Sequence, residues 1–167
     1  MGQSDILEVF YIYGQQSATS EEKARILLEF PVTSMSSDRS SGAIPASGSV
    51  SFFLKLTNAK HSTTLPRDYK LTVHAISAPW QEGRGLDMDE YTDLTYDNTG
   101  SNWVNRQGST AWSSQGGDFY TDSSSSFDAT FTVGDENLEV DVTTLVEQWI
   151  DSDGNGLGSK DNNGFII

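Results

Sequence analysis

The residues best equipped for chemistry are the oxygen donors of Asp151-Ser152-Asp153-Gly154-Asn155-Gly156. Side-chain oxygens at the first, third and fifth positions converge, and glycine at the sixth permits a sharp turn, as in the first half of a calcium loop. A full loop needs a bidentate acid at the twelfth position. Asn162 stands there, with Asp161 one place early. Asp151, Asp153, Asn155 and Asp161 are therefore the candidate Ca2+ ligands; the competing reading is a solvated turn built from ordinary turn residues. A second acidic group, Asp87, Asp89, Glu90, Asp93 and Asp97, reads as a solvated loop.

Four tryptophans carry the question of binding. Trp149 falls on an apolar helical face and belongs to a core. Trp80 opens a loop after a strand, while Trp103 and Trp112 lie in a polar stretch rich in Gly and Ser. Exposed indoles flanked by Asn, Asp and Gln stack on sugar rings while their neighbours hydrogen-bond the hydroxyls. Trp103, Trp112 and Trp80 are thus the candidate ligand-binding residues, against the alternative that they cap the core.

Catalytic constellations are thin. There is no cysteine, hence no thiol nucleophile, thiolate metal site or disulfide. His61 falls in a polar loop and His74 on a strand, where it is expected to face solvent; neither has triad or metal-ligand spacing. No Gly-x-Ser-x-Gly elbow occurs. Glu82 lies near Trp80, but paired carboxylates for glycoside hydrolysis are defined by their separation in space. The expectation is a protein that is not an enzyme.

The elements that must position these residues are mostly strands. In the last third, Leu138, Val140 and Val142 alternate with Glu139 and Asp141, which is strand periodicity. The period then changes. Val142, Leu145, Val146 and Trp149 fall at i, i+3, i+4 and i+7, one face of a short helix over 143–149, with Asp141 and Thr143 placed to cap it. Strand patterns also cover residues 6–13, 24–30, 50–57, 69–76 and 128–133, and a short apolar strand closes the chain after Asn162-Asn163-Gly164. Residues 34–49 and 84–127 read as loops. About seven strands with long connections point to an all-β, jelly-roll-like antiparallel sandwich in a single domain over 1–167.

Several segments, in order, resemble the extracellular β-sandwich modules called DNRLRE-type domains, grouped with carbohydrate-binding module family 96. They are Ala24-Arg25-Ile26-Leu27-Leu28-Glu29-Phe30, Trp80-Gln81-Glu82-Gly83, the Trp103 and Trp112 region, and Asp141-Val142-Thr143 through Leu145-Val146 to Trp149 and Asn162-Asn163-Gly164-Phe165. The resemblance implies a binding or scaffold module and names no ligand. Some members bind alginate, for which Arg25 and Lys70 would matter. Members continue to a closing Arg-Pro-x-hydrophobic strand, whereas this sequence stops at Ile167. Either the closing strand is absent, or the sequence is a fragment of a longer protein, or a partner chain supplies that strand; an unpaired sheet edge there is expected to be a site of self-assembly or aggregation.

Charge limits the partners. With 10 Lys and Arg against 24 Asp and Glu, the formal net charge is −14, which opposes binding to nucleic acid and anionic membranes. No run approaches the roughly 20 apolar residues of a membrane span, and the N-terminus lacks the basic start and apolar centre of a signal peptide. These features fit a virion protein, assembled in a host cytoplasm and released by lysis. The chain most resembles the DNRLRE-type structural proteins of marine tailed phages, and that resemblance implies a non-catalytic structural or adhesion module of a virion, meeting other virion proteins or copies of itself. The alternative is a secreted module that binds polysaccharide with calcium assistance.

Overall fold

A computed structural model describes residues 2, 4, 6–14, 17–60, 65–85, 99–151 and 160–167. The chain is all-β, with strands in antiparallel sheets and two short helices. In order these are β1 (Phe10–Tyr13), β2 (Glu21–Ala24), β3 (Leu27–Leu28), α1 (Thr33–Ser41), β4 (Phe53–Leu56), β5 (Tyr69–Ala75), β6 (Asn105–Gln107), β7 (Thr110–Ala111), β8 (Ser126–Phe131), β9 (Leu138–Asp141), α2 (Thr143–Ile150) and β10 (Phe165–Ile166). One four-stranded sheet runs β3-β10-β5-β8, and three two-stranded sheets pair β1 with β2, β4 with β9, and β6 with β7. These pairings establish antiparallel architecture without delineating the two full sheets of a jelly roll.

Alternation decides which side chains turn inward. On β5, Val73 and Ala75 are fully buried while Lys70 is exposed; on β9, Leu138 and Val140 are buried while Glu139 and Asp141 face water. The inward residues of the four-stranded sheet and of the β4–β9 pair meet in one core with the apolar face of α2. The period change after β9 forms as the sequence requires: Val142, Leu145, Val146 and Trp149 are all buried. Asp141 accepts the Thr143 N–H at 2.9 Å, and the Thr143 hydroxyl oxygen accepts the Phe52 N–H at 2.8 Å, tying the helix start to the strand beside it. Trp149 packs edge-on against Phe165, 5.0 Å between ring centres.

Four sequence expectations need correction. The stretch 34–49, read as a loop from its Ser and Gly content, contains α1. Local propensity for a helix is weak there, and tertiary contacts supply what it lacks. Met35 packs on the core, the Ser36 hydroxyl donates to the Ile150 carbonyl at 2.6 Å, and Arg39 grips Glu147 of α2 through two bonds of 2.9 Å. The strand expected over 24–30 is interrupted between β2 and β3. The strand expected over 6–13 is regular only at β1, and that strand is exposed along its whole length.

The fourth correction concerns the chain's end. The open edge expected at Ile167 does not exist, because β10 is an inner strand. Phe165 pairs with Leu28 on one side and Ala75 on the other. Ile167 exchanges both backbone bonds with Ile26 (3.0 and 3.2 Å) and is itself buried. Gly164 makes this insertion possible. It sits at φ +83°, and a Cβ there would meet the Leu28 carbonyl oxygen at 2.0 Å, so the Asn-Asn-Gly approach to β10 is required by backbone crowding.

Candidate functional site

The interruption between β2 and β3 creates the site. Ile26 turns into the core, and its neighbour Arg25 is thereby sent to the other side of the chain. Arg25 Nη1 donates to the Gly116 carbonyl at 2.6 Å. The guanidinium lies over the rings of Trp103 and Phe119, 5.1 and 5.3 Å from their centres. Phe119 in turn stacks, tilted, on His74 at 4.6 Å. Trp103, Arg25, Phe119 and His74 thus form a continuous column of cation and rings.

The opposite wall comes from the stretch around the β6–β7 hairpin. Asn102 Oδ1 accepts the N–H groups of Val104 and Asn105 at 2.9 and 2.8 Å, a side-chain turn that presents Trp103 at its tip. Trp112 is buried beneath. Its backbone N–H donates to the Val104 carbonyl and its indole N–H to the Asn102 carbonyl at 2.8 Å. Asp118 braces the next turn by accepting the N–H groups of Ser113 and Ser114, both at 2.8 Å. Partial burial pushes that carboxyl up, but these bonds outweigh it and hold its pKa below the usual aspartate range. Gly116 must be glycine, since a Cβ there would come within 2.8 Å of the Trp103 ring and 3.0 Å of Arg25.

Between these walls lies an open cleft of about 220 Å³, lined by Lys23, Ala24, Arg25, Leu27, Ser101, Asn102, Trp103, Trp112 and Gly116. Among the described residues two cations and no carboxylate line it, in a chain of net charge −14. It is smaller than the roughly 300–1,000 Å³ of pockets that engulf a cofactor. An aromatic ring, a guanidinium and an amide around a shallow opening suit one sugar unit or one anionic group. Lys23 is held on the rim by Glu21 at 2.9 Å. Arg25 has no carboxylate within ion-pair distance among the described residues. Burial pulls its pKa below the ordinary value, a shift that leaves a guanidinium charged at any physiological pH.

The candidate residues from sequence separate into three places. Trp103 is 37% exposed and stands at the cleft mouth, whereas Trp112 is 6% exposed and forms the floor. Trp80 is outside the lining, half-buried, with its indole N–H donating to the Asn163 carbonyl at 2.8 Å. Of the proposed calcium ligands, Asp151 follows α2, where its N–H donates to the Glu147 carbonyl, and Asp161 is exposed. Asp153 and Asn155 lie outside the described residues, as do His61 and the acidic group at 87–97. Among the described residues no three acidic or imidazole groups gather as a metal site would require. His74, expected to face solvent, is half-buried, with Nδ1 2.8 Å from the Ser126 hydroxyl and 3.1 Å from the Tyr120 carbonyl.

Sequence reasoning passed over Lys23, Ser101, Asn102, Gly116 and Phe119 as partners of Arg25 and Trp103. The one local signal was the Gly116-Gly117 pair beside an aromatic. Comparison with known protein families, curated proteins and solved structures returns no match, so the resemblance to DNRLRE-type modules rests on this chain's own residues.

Proposed function

We propose that this chain is a non-catalytic adhesion module of a tailed-phage virion that contacts surface polysaccharide through the Arg25–Trp103 cleft. The observation that carries the binding part of this reading is the cleft itself: an exposed indole beside a guanidinium held by a carbonyl, with Asn102 and Ser101 at hand and, among the described residues, no carboxylate in the lining. Such a lining stabilises ring stacking and the binding of hydroxyl or carboxylate oxygens, and it offers no acid and base pair for bond cleavage. The acidic, cysteine-free composition and the family resemblance support placement in a particle, on a jelly-roll-like sandwich scaffold.

The second reading is a secreted carbohydrate-binding module, calcium-assisted if the Asp151 loop holds the ion. The same cleft favours it, and a chelator separates the two, since only the assisted module loses affinity with its calcium. The direct test is a glycan array followed by calorimetry on the best hit, comparing the native chain with Trp103→Ala. The expected result is saccharide binding that falls at least about tenfold in the variant, the scale of one lost stacking contact. Equal binding by both proteins would move the site elsewhere, and no binding to any glycan would remove polysaccharide as the ligand.

A further inference from the structure

The surface with the least chemical reason to face water is the N-terminal ribbon. Every large apolar residue from Ile6 to Tyr13 is 36–61% exposed, and Glu8 is the only charged residue among them. β1 is bonded to β2 along one edge, with Phe10 opposite Ala24 and Tyr13 opposite Glu21. Among the described residues no strand lies along its other edge. That edge is apolar and carries no proline, lysine or bulge of the kind that keeps free edges from pairing.

We propose that a second copy of this chain docks there, the two β1 strands pairing antiparallel about a two-fold axis at Tyr11 to give a four-stranded sheet. Three observations select a second copy as the occupant. The first is self-complementarity. With the axis at Tyr11, Phe10 of one copy falls opposite Ile12 of the other and Val9 opposite Tyr13, which are the aromatic and β-branched pairs that stabilise antiparallel sheets. Glu8 falls opposite Gly14, so no like charges meet.

The second observation is exposure. The seven side chains are each 36–61% exposed and alternate between the two faces of the ribbon, so pairing along the edge covers apolar surface on both faces at every cross-strand position. The third is charge. Two chains of net charge −14 repel each other, and an edge segment with Glu8 as its single carboxylate over residues 6–14 is where they can meet at low Coulombic cost. This inference does not depend on the ligand of the cleft.

The experiment is light scattering of the whole chain through a micromolar dilution series, with Ile12→Lys beside the native protein. In parallel, Tyr11→Cys is run on a non-reducing gel after mild oxidation. A native mass of twice the chain is expected, with the dimer dissociation constant raised about 100-fold or more by Ile12→Lys, which sets an unpaired ammonium against Phe10 of the other copy. Tyr11→Cys is expected to form a covalent dimer, an unambiguous result because the chain has no other cysteine. A native protein that is monomeric throughout, a dimer that survives Ile12→Lys, or a Tyr11→Cys protein that stays monomeric under oxidation each overturns the proposal.

Discussion

Arg39→Met should destabilise the fold more than Glu147→Gln, and a paired apolar replacement should recover most of the loss. The two side chains meet in a bidentate pair of hydrogen bonds, Arg39 Nη1 and Nη2 each donating to a Glu147 oxygen at 2.9 Å, with only 17% of the Arg39 side chain and 6% of Glu147 exposed. Removing the arginine strands a carboxylate that water can scarcely reach. Breaking a buried pair from one side costs about 3–5 kcal/mol, and the partial exposure of Arg39 places this case near the lower figure. Glu147→Gln keeps the shape and one acceptor oxygen, and the guanidinium left behind can still find water, so about 1–2 kcal/mol is expected. In Arg39→Met with Glu147→Leu neither charge remains. Arg39 Nε already lacks a hydrogen-bond partner among the described residues, so little is lost with it, and the double variant should lie within about 1 kcal/mol of the native chain.

Thermal unfolding at neutral pH reads this ranking. At about 2–4 °C per kcal/mol for a chain of this size, Arg39→Met should melt about 6–12 °C low. Acid supplies the decisive arm. The Arg39 bonds hold the Glu147 carboxyl below its ordinary 4.5 despite the opposing push of burial. Its contribution is therefore complete above pH 4.5 and is lost as pH falls through the lower folded value. Without Arg39 only the push of burial and a Ser47 hydrogen bond remain, so the carboxyl protonates more readily in the variant. The gap between variant and native should then narrow below pH 4.5. A pH-independent gap, or a double variant as unstable as Arg39→Met alone, would refute the reasoning.

Three further outcomes are expected. Gly164→Ala should lower stability by more than about 2 kcal/mol in urea titration, from left-handed backbone strain added to contact with the Leu28 carbonyl. Glu136 accepts the N–H groups of Thr132, Val133 and Gly134 at 2.7–2.9 Å and the Thr132 hydroxyl at 2.8 Å, which pulls its pKa from 4.5 to about 2. Its folded value being the lower, stability should decline between pH 4.5 and about 2, and Glu136→Gln should flatten that limb in acid denaturation curves. Burial lowers the His74 pKa from 6.5, against a hydrogen bond that the Tyr120 carbonyl accepts from the ring and with help from the charge of Arg25. Stability from His74 is thus full above pH 6.5 and falls as pH drops below it, and His74→Gln should remove that dependence from melting curves recorded between pH 7 and 5.

The strands and the final helix were legible because periodicity is a direct record of which side faces a core. Val142 to Trp149 read as a buried face and is one; Leu138 and Val140 likewise. α1 was not legible, because nothing within residues 33–41 favours a helix over a loop. Its stability comes from Ile150 and Glu147, more than a hundred residues away in sequence. The same limit applied to β10. An apolar strand at the end of a sequence gives no sign of whether one neighbour or two will flank it, and the packing of Gly164 on the Leu28 carbonyl, too close to admit a Cβ, is a fact of space alone. For the cleft, the aromatic candidates were visible singly, but which of them share a wall depends on the Asn102 turn and on Gly116.

The cleft and the core are separated by a single residue step. Ile26 is fastened to Ile167 by two backbone bonds and buried, while Arg25 beside it donates to the Gly116 carbonyl. On the far side, a Cβ on Gly117 would come within 2.6 Å of the Ile166 side chain, so the loop carrying the Gly116 carbonyl rests on β10 as well. Both walls therefore take their position from the last two residues of the sequence. Arg25 needs no carboxylate to hold it, because a carbonyl and two rings fix it in place, and its positive charge remains available to a ligand. A carboxylate partner would have held the side chain as firmly and cancelled its charge. In a chain where acids outnumber bases by more than two to one, the described residues around this guanidinium leave its charge uncancelled, and that is the feature on which the proposed binding of an anionic or hydroxyl-rich ligand rests.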